Sequence, residues 1–370
     1  MRPLRIALVA AGPESVPGGQ SVQARLLLDR LRARGHEVSL LPINPTFPRG
    51  LRWARRIPLA RTVLNQALYL PSLLRLRGCD VAHVFSASYG SFFLAPVPAI
   101  AAARLFGRRV ILNYHSGEAD DHMRRDGRWV APWLRRCDAL VVPSVYLQEI
   151  FARHGHVASV IPNVVDLSRF PFRERGPSRQ RLLCTRNLEP IYAVDVVVRA
   201  FALLARDRPG VTLTLAGTGS QETSLRDLAH RLGVRPHFTG RVEPDAMPRV
   251  YEQADLFLNA SVVDNQPLSI LEAFAAGLPV ATTGTGDISS LVSHEETGLL
   301  VRSEDPRALA AAAARLMDDS SLAARLARGA RARVERHDWS RIAPLWESVL
   351  AGPPEGGPGR AAAQAARKSA

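Results

Sequence analysis

Two carboxylates, Asp264 and Glu272, stand eight positions apart in the stretch SVVDNQPLSILEAFAAGLPV, residues 261–280. Glu272 falls in the second turn of a helix whose neighbours Ile270, Leu271 and Phe274 are apolar. Acids balance a helix dipole best in the first turn, so a carboxylate one turn later, in apolar company, calls for hydroxyl donors. Simple dipole balancing is the other reading of the same residue. Pro267 suits the first position of this helix. The free amides at Leu268 and Ser269 then form an anion site backed by partial positive charge.

Such groups need a frame, and the flanking sequence supplies one. Short β-rich runs alternate with helical patterns along the chain, which predicts parallel sheets covered on both faces. Strands are expected at 4–10, 37–41, 81–85, 109–114, 139–143 and 158–162, with a first helix over about 21–34. A segment rich in Pro, Arg and Gly (163–180) carries no sustained period and reads as an interdomain linker. A second series follows at 181–185, 211–217, 237–240, 254–260, 278–283 and 298–301. The division predicted is a first Rossmann-like domain over 1–165, a second over 166–336, a crossover helix at 337–350 and a flexible tail from 351 to 370. In open parallel sheets ligands bind beyond the carboxyl ends of the strands. Asp264 lies there, in the loop after the strand ADLFLNA.

Bulk properties agree with two domains. A chain of 370 residues is long for one core. A hydrophobic share of 46% and a mean hydropathy of -0.03 exclude a disordered chain. Three widely spaced cysteines in apolar segments support neither a disulfide framework nor a metal site. The net charge of +14 asks for an anionic partner, although its near-total reliance on arginine, with Lys368 the sole lysine, partly reflects coding bias. The start MRPLRIALVAAG leads directly into a glycine-rich turn and a helix, so it reads as a strand and not as a signal peptide. The longest apolar region is broken by Pro96 and Pro98 and stops at Arg104, short of a membrane span. The expected location is cytoplasmic, peripheral to the inner face of a membrane if the basic face described below touches lipid.

The acid, seven residues and Glu of LEAFAAGLPV resemble the E-x7-E signature of family 4 (group 1) retaining glycosyltransferases. Similar stretches occur in the family's order over about 340 residues: PGGQSVQARLLLDRLRARGHEV, CDALVVPSVYLQEIF, VIPNVVDLSRF, LAGTGSQETSLRDLAHRLGV and HEETGLLV. The resemblance implies the α/β GT-B fold, two Rossmann-like domains facing across a cleft, with the last helix crossing back to the first domain. It also implies a nucleoside-diphosphate sugar as donor and a glycan or lipid-linked acceptor, in bacterial surface polysaccharide or glycolipid synthesis. No metal or other cofactor is expected. Glu272 would hold the ribose hydroxyls of the donor, and Asp264, an Asp where the family has Glu, would contact the transferred sugar. His115 would lie beside that sugar. Gly18 and Gly19 would approach the diphosphate with their backbone, and Arg186 would bind it. The family usually has a Lys a few residues after this Arg. Tyr192 stands there instead, a departure that also admits a catalytically degenerate binding or scaffold protein.

Remaining motifs are weaker. Asp120, Asp121 and His122 make a poor metal site, since hard cations need several converging oxygens. The GxG of LAGTGSQE lacks the third glycine of a dinucleotide fingerprint. TTGTGDISS is read only as a loop near the donor. Residues 48–78 interleave seven arginines with Leu, Ile and Trp53 and contain no acid. That mix suits an anionic membrane surface, or a solvated basic face with no partner. Nucleic acid is not expected as a partner, because no stacking platform accompanies the charge.

Overall fold

The computed structural model describes residues 2–12, 18–86, 88–176 and 180–352, apart from the side chains of Arg52, Arg55 and Arg56. Most of the tail expected at 351–370 lies outside these residues, as does Pro17 of the PGG turn.

The first sheet contains β1 (Arg5–Ala10), β2 (Glu37–Pro42), β3 (Val81–Ser86), β4 (Arg109–Tyr114), β5 (Ala139–Val142) and β6 (Ser159–Val160). Its order is β2-β1-β3-β4-β5-β6. The second contains β7 (Arg181–Cys184), β8 (Thr212–Ala216), β9 (His237–Gly240), β10 (Leu256–Asn259), β11 (Val280–Thr283) and β12 (Leu299–Val301). Its order is β12-β11-β10-β7-β8-β9. Every pairing between these strands is parallel. Each of the twelve runs read from the sequence coincides with one of these strands, β2 and β3 extending one residue past the expected end. The run 158–162 shrinks to a two-residue strand because β6 is an edge, paired on one side only with β5.

Parallel strands covered on both faces must be apolar on both, and β3 and β10 are buried along their whole length. Helices Val194–Asp207 and Pro306–Asp318 pack on one face of the second sheet, while Leu268–Ala276 and Ser320–Val334 close the other. The segment read as a linker has no regular structure over 163–176, yet it is pinned. Val165 and Phe170 join the second domain's core, and the Arg175 guanidinium donates to the carbonyl of Tyr251 at 3.0 Å.

The last helix, Trp339–Ala351, returns to the first domain as expected. Ile342, Trp346 and Leu350 pack with Ile6, Leu8 and Leu28. Arg34 pairs with Glu347 at 2.7 Å, and Arg109 donates to the carbonyl of Val349 at 3.0 Å. Burying side chains of this size is worth about 1.5–3 kcal/mol each, so this helix is fixed to the first sheet and ties the two domains together.

Candidate active site

The second sheet reverses its winding between β7 and β10, which are neighbours although the chain leaves β7 toward β8. Loops leaving two such strands diverge and open a crevice at the carboxyl edge. Arg186 follows β7 and residues 261–267 follow β10, so both flank it.

Arg186 forms an ion pair with Asp264 and donates through Nη1 to Ser269 Oγ at 3.0 Å. Its guanidinium carbon lies 4.0 Å from the centroid of the Tyr192 ring, and its Nε is buried without a hydrogen-bond partner. Asp264 also accepts from Ser261 Oγ at 3.3 Å and from the Asn265 N–H at 2.8 Å. The segment TTGTGDISS clamps this loop from outside. Thr283 Oγ1 and Thr285 Oγ1 both donate to the Ser261 carbonyl, at 2.7 and 2.6 Å, and the Asp287 N–H donates to that of Asp264 at 3.0 Å. Gly286, at φ +59°, passes so close that a Cβ would fall 2.0 Å from the Asp264 carbonyl oxygen.

The GxG of LAGTGSQE has a similar duty. A Cβ at Gly217 would fall 2.1 Å from the carbonyl oxygen of Arg186, and one at Gly219 2.3 Å from that of Leu188. These glycines let one loop back directly onto the Arg186 loop.

Pro267 is the N-cap of helix Leu268–Ala276, one position earlier than its expected place inside the helix, because its ψ of 122° is extended. Its carbonyl accepts from Ile270 and Leu271, so the amides of Leu268 and Ser269 lie ahead of the ladder. Glu272 sits one turn on, and the Tyr251 hydroxyl donates to its Oε2 at 2.8 Å. Tyr251 has one proton to give, so Thr185 Oγ1, 2.6 Å away, donates in turn to Tyr251. Burial pushes the Glu272 carboxyl up to about 7, and the bond from Tyr251 offsets this only partly.

Four regions of the first domain meet this surface. Gly18 precedes helix Gly19–Ala33. A Cβ on Gly19 would lie 3.4 Å from Leu268 Cδ1, and one on Gly18 3.9 Å from Asn187 Nδ2. His115 follows β4, stacks on Phe85 with centroids 5.3 Å apart, and keeps its Nε2 buried without a partner. Burial lowers its pKa to about 4, so the ring is neutral near pH 7. Its carbonyl accepts from Asn265 Nδ2 at 3.5 Å, and Ser144 Oγ donates to Asn265 Oδ1 at 2.5 Å. Asn163 closes the junction: its N–H reaches Gln266 Oε1 at 2.5 Å and its Nδ2 the Gln266 carbonyl at 3.0 Å.

Gly18, Gly19, His115, Arg186, Asp264, Leu268 and Ser269 therefore gather at one domain junction, with Glu272 a helical turn behind. Sequence reasoning missed Thr185, Tyr251, Asn163, Asn265 and Gln266. The only signal for the last two was the run of polar residues in DNQP after a buried strand. Asp120, Asp121 and His122 do not converge. Asp120 meets His154 and Arg124, Asp121 accepts from Tyr89, and His122 is buried against Tyr114. Among the described residues no group of His, Cys, Asp and Glu is placed to hold a metal ion. All three cysteines are free; Cys79 and Cys184 are buried and Cys137 partly so.

Two facing doubly wound domains, a loop-built crevice between them and a helix crossing back define the GT-B architecture. A crystal structure of Anabaena Alr3699/HepE in complex with UDP and glucose superposes with a TM-score of 0.73 at 19% identity, covering 94% of this chain and 99% of that one. The family models for Glycosyltransferase Family 4 and for Glycosyl transferases group 1 match residues 17–169 and 179–319. Glycogen synthase of Mycobacterium tuberculosis is 31% identical over 287 residues, 73% of this chain and 68% of that protein. A GDP-mannose-dependent alpha-(1-6)-phosphatidylinositol monomannoside mannosyltransferase from the same organism is 32% identical over 285 residues, 70% of this chain and 72% of that protein. The chain belongs to the family 4, group 1 glycosyltransferases, and it is an enzyme of that kind.

Proposed function

We propose that the protein transfers a sugar from a nucleoside-diphosphate sugar to a hydroxyl of a glycan or lipid-linked acceptor, with retained anomeric configuration and without a metal. The observation that carries this reading is the meeting of Arg186, the Leu268–Ser269 amides and the Gly18-Gly19 turn at one junction. Cationic and N–H-bearing groups gathered in this way suit a diphosphate. Glu272 behind them suits the ribose hydroxyls. The neutral His115, with an unpartnered Nε2, suits a hydroxyl of the transferred sugar.

In this reading the bond between the anomeric carbon and the β-phosphate oxygen breaks, and the acceptor oxygen forms a bond to that carbon on the same face. The acceptor's proton passes to the departing phosphate, so no side-chain base is required. Arg186 and the amides neutralise the charge that grows on the leaving group, where preorganised donors contribute most. The names of the relatives support a sugar acceptor or a phosphoinositide glycolipid, and synthesis of bacterial surface polysaccharide or glycolipid at an anionic membrane is the setting proposed.

A screen of nucleoside-diphosphate sugars for release of free nucleoside diphosphate tests this. One donor should be turned over by the wild type and not by Glu272→Ala, with both folded. A Glu272→Ala protein as active as the wild type would remove Glu272 from the site, and no thermal shift with any nucleoside diphosphate at millimolar concentration would overturn the reading.

A further inference from the structure

Helix Pro58–Ser72 has two apolar faces and only one of them is used. Its inner face carries Asn65 and Tyr69, continued by Leu73 and Leu76 in the 3-10 turn Leu73–Gly78. Tyr69 is buried and donates to the Ala95 carbonyl at 2.8 Å, and Asn65 donates to that of Ile43 at 2.8 Å. The opposite face carries Leu59, Val63, Ala67, Leu70 and Leu74, spaced four, four, three and four residues apart. That spacing makes one continuous stripe, and it faces solvent: Leu59 is 76% exposed, Val63 62%, Leu70 47% and Leu74 55%. Trp53 and Ile57 in the preceding turn are exposed at 58% and 48%. A single exposed Leu needs no explanation, but a contiguous run of this kind marks an interaction surface.

We infer that this stripe is a docking surface for an anionic lipid bilayer, entered by the stripe and held by the arginines beside it. The charge around it selects the occupant. Residues 38–79 contain no Asp or Glu, and Arg49, Arg61, Arg75 and Arg77 are exposed. A second copy of the chain would bring the same arginines face to face across a two-fold axis, whereas anionic headgroups neutralise them. Nucleic acid would meet the charge but leave the aliphatic stripe in water. A helix with an apolar face and flanking arginines lies in the plane of a membrane interface.

The placement bears on the reaction. Asn65 grips Ile43, the residue after β2, and Asn44 accepts from the Gly12 N–H after β1. The helix therefore stands at the carboxyl edge of the first sheet, the edge that lines the crevice. A protein seated by it presents the first domain's side of the crevice to molecules held in the bilayer. The inference rests on the stripe and not on the donor chemistry proposed above.

Flotation of the full chain with vesicles tests it. Vesicles of equal phosphatidylcholine and phosphatidylglycerol should carry the protein upward at low salt, and pure phosphatidylcholine vesicles should carry much less. Leu59→Gln, Val63→Gln and Leu70→Gln combined should cut binding at least tenfold. Arg61→Gln with Arg75→Gln should cost about fivefold for each charge removed. Both variants should keep the melting temperature and any nucleotide-induced thermal shift, which separates failure here from failure of the donor site. The inference is overturned if the wild type does not float with anionic vesicles, or if the triple variant floats equally well. A solution dimer that the triple variant abolishes would overturn it too, by assigning the stripe to a second copy.

Discussion

The Arg186 guanidinium is held between a ring and a carboxylate: it lies 4.0 Å from the centroid of Tyr192 and pairs with Asp264. Tyr192 stands where the family resemblance leads us to expect a lysine. A lysine there would add a second cation to the site, whereas the ring adds none and instead fixes the plane of the one present. The Ile191 carbonyl also accepts from the Val262 N–H at 2.9 Å, so the Tyr192 turn and the Asp264 loop are built against each other.

If stacking is what Tyr192 provides, Tyr192→Phe keeps it and Tyr192→Ala loses it. A cation over an aromatic face is worth about 0.5–2 kcal/mol, or about 2- to 30-fold in affinity. Titration calorimetry with the cognate nucleoside diphosphate should show Phe within about twofold of wild type and Ala weaker by that range. Equal losses for Phe and Ala would assign the effect to the hydroxyl.

Asp264 pairs with Arg186, and a diphosphate bound by Arg186 must share or displace that contact. Asp264→Asn removes a negative charge from the anion site while keeping the side chain's size. Nucleoside diphosphate should therefore bind more tightly, by about tenfold for a charge-assisted bond freed in a partly buried setting. Sugar transfer should fall at the same time, if Asp264 holds the sugar. A variant that binds the diphosphate more weakly would show that Asp264 positions Arg186 more than it competes for it.

The fold was legible because its signals are local. Runs such as RVILNY and HFTG announce themselves by composition and by their flanking turns, and β4 and β9 occupy those residues. His115, Arg186 and Asp264 stood out because each follows a strand and carries chemistry a core does not need. What stayed hidden depends on approach in three dimensions. Gly217 and Gly219 read as an incomplete dinucleotide motif, since nothing in LAGTGSQE reveals that the Arg186 loop lies 2–3 Å away from any Cβ they would carry. Tyr251 lies on a helix edge twenty-one residues from Glu272, and only packing makes it the hydroxyl donor that this carboxylate required. Asn163 and Gln266 are 103 residues apart and carry no charge to mark them.

The raised carboxyl of Glu272 has a definite sign for stability. Its ordinary value is 4.5 and burial lifts it to about 7, so between these pH values the native state holds a proton that the unfolded chain has lost. Stability contributed by this group is present below about pH 4.5, falls as pH rises through that window, and stays lower above about 7. The penalty is on the order of 3 kcal/mol. Glu272→Gln cannot ionise and still accepts from Tyr251. Relative to wild type, its melting temperature should improve by several degrees between about pH 5 and pH 8, while nucleotide binding weakens. Parallel melting curves across that range would show that the carboxyl titrates normally.

Asn163 tests whether the junction must be held for the site to work. Its two bonds to Gln266 cross the domains and fix a residue at φ +50°, a conformation that non-glycine residues adopt only under constraint. Gln266 directly precedes the cap of the helix Leu268–Ala276, so releasing it lets Pro267, Leu268 and Ser269 shift together. Asn163→Ala removes the Nδ2 bond to the Gln266 carbonyl and keeps the backbone one, a loss of about 1 kcal/mol and about one or two degrees in melting temperature for a protein this size. Misplacing the amides by about 1 Å is far more damaging to the reaction, on the order of a hundredfold. The expected outcome is a folded variant, slightly less stable, whose kcat/KM falls much further than its stability, with a larger radius of gyration by small-angle scattering. If kcat/KM and the scattering curve both match wild type, the crevice is shaped within the second domain alone and the Asn163 contact only adds stability.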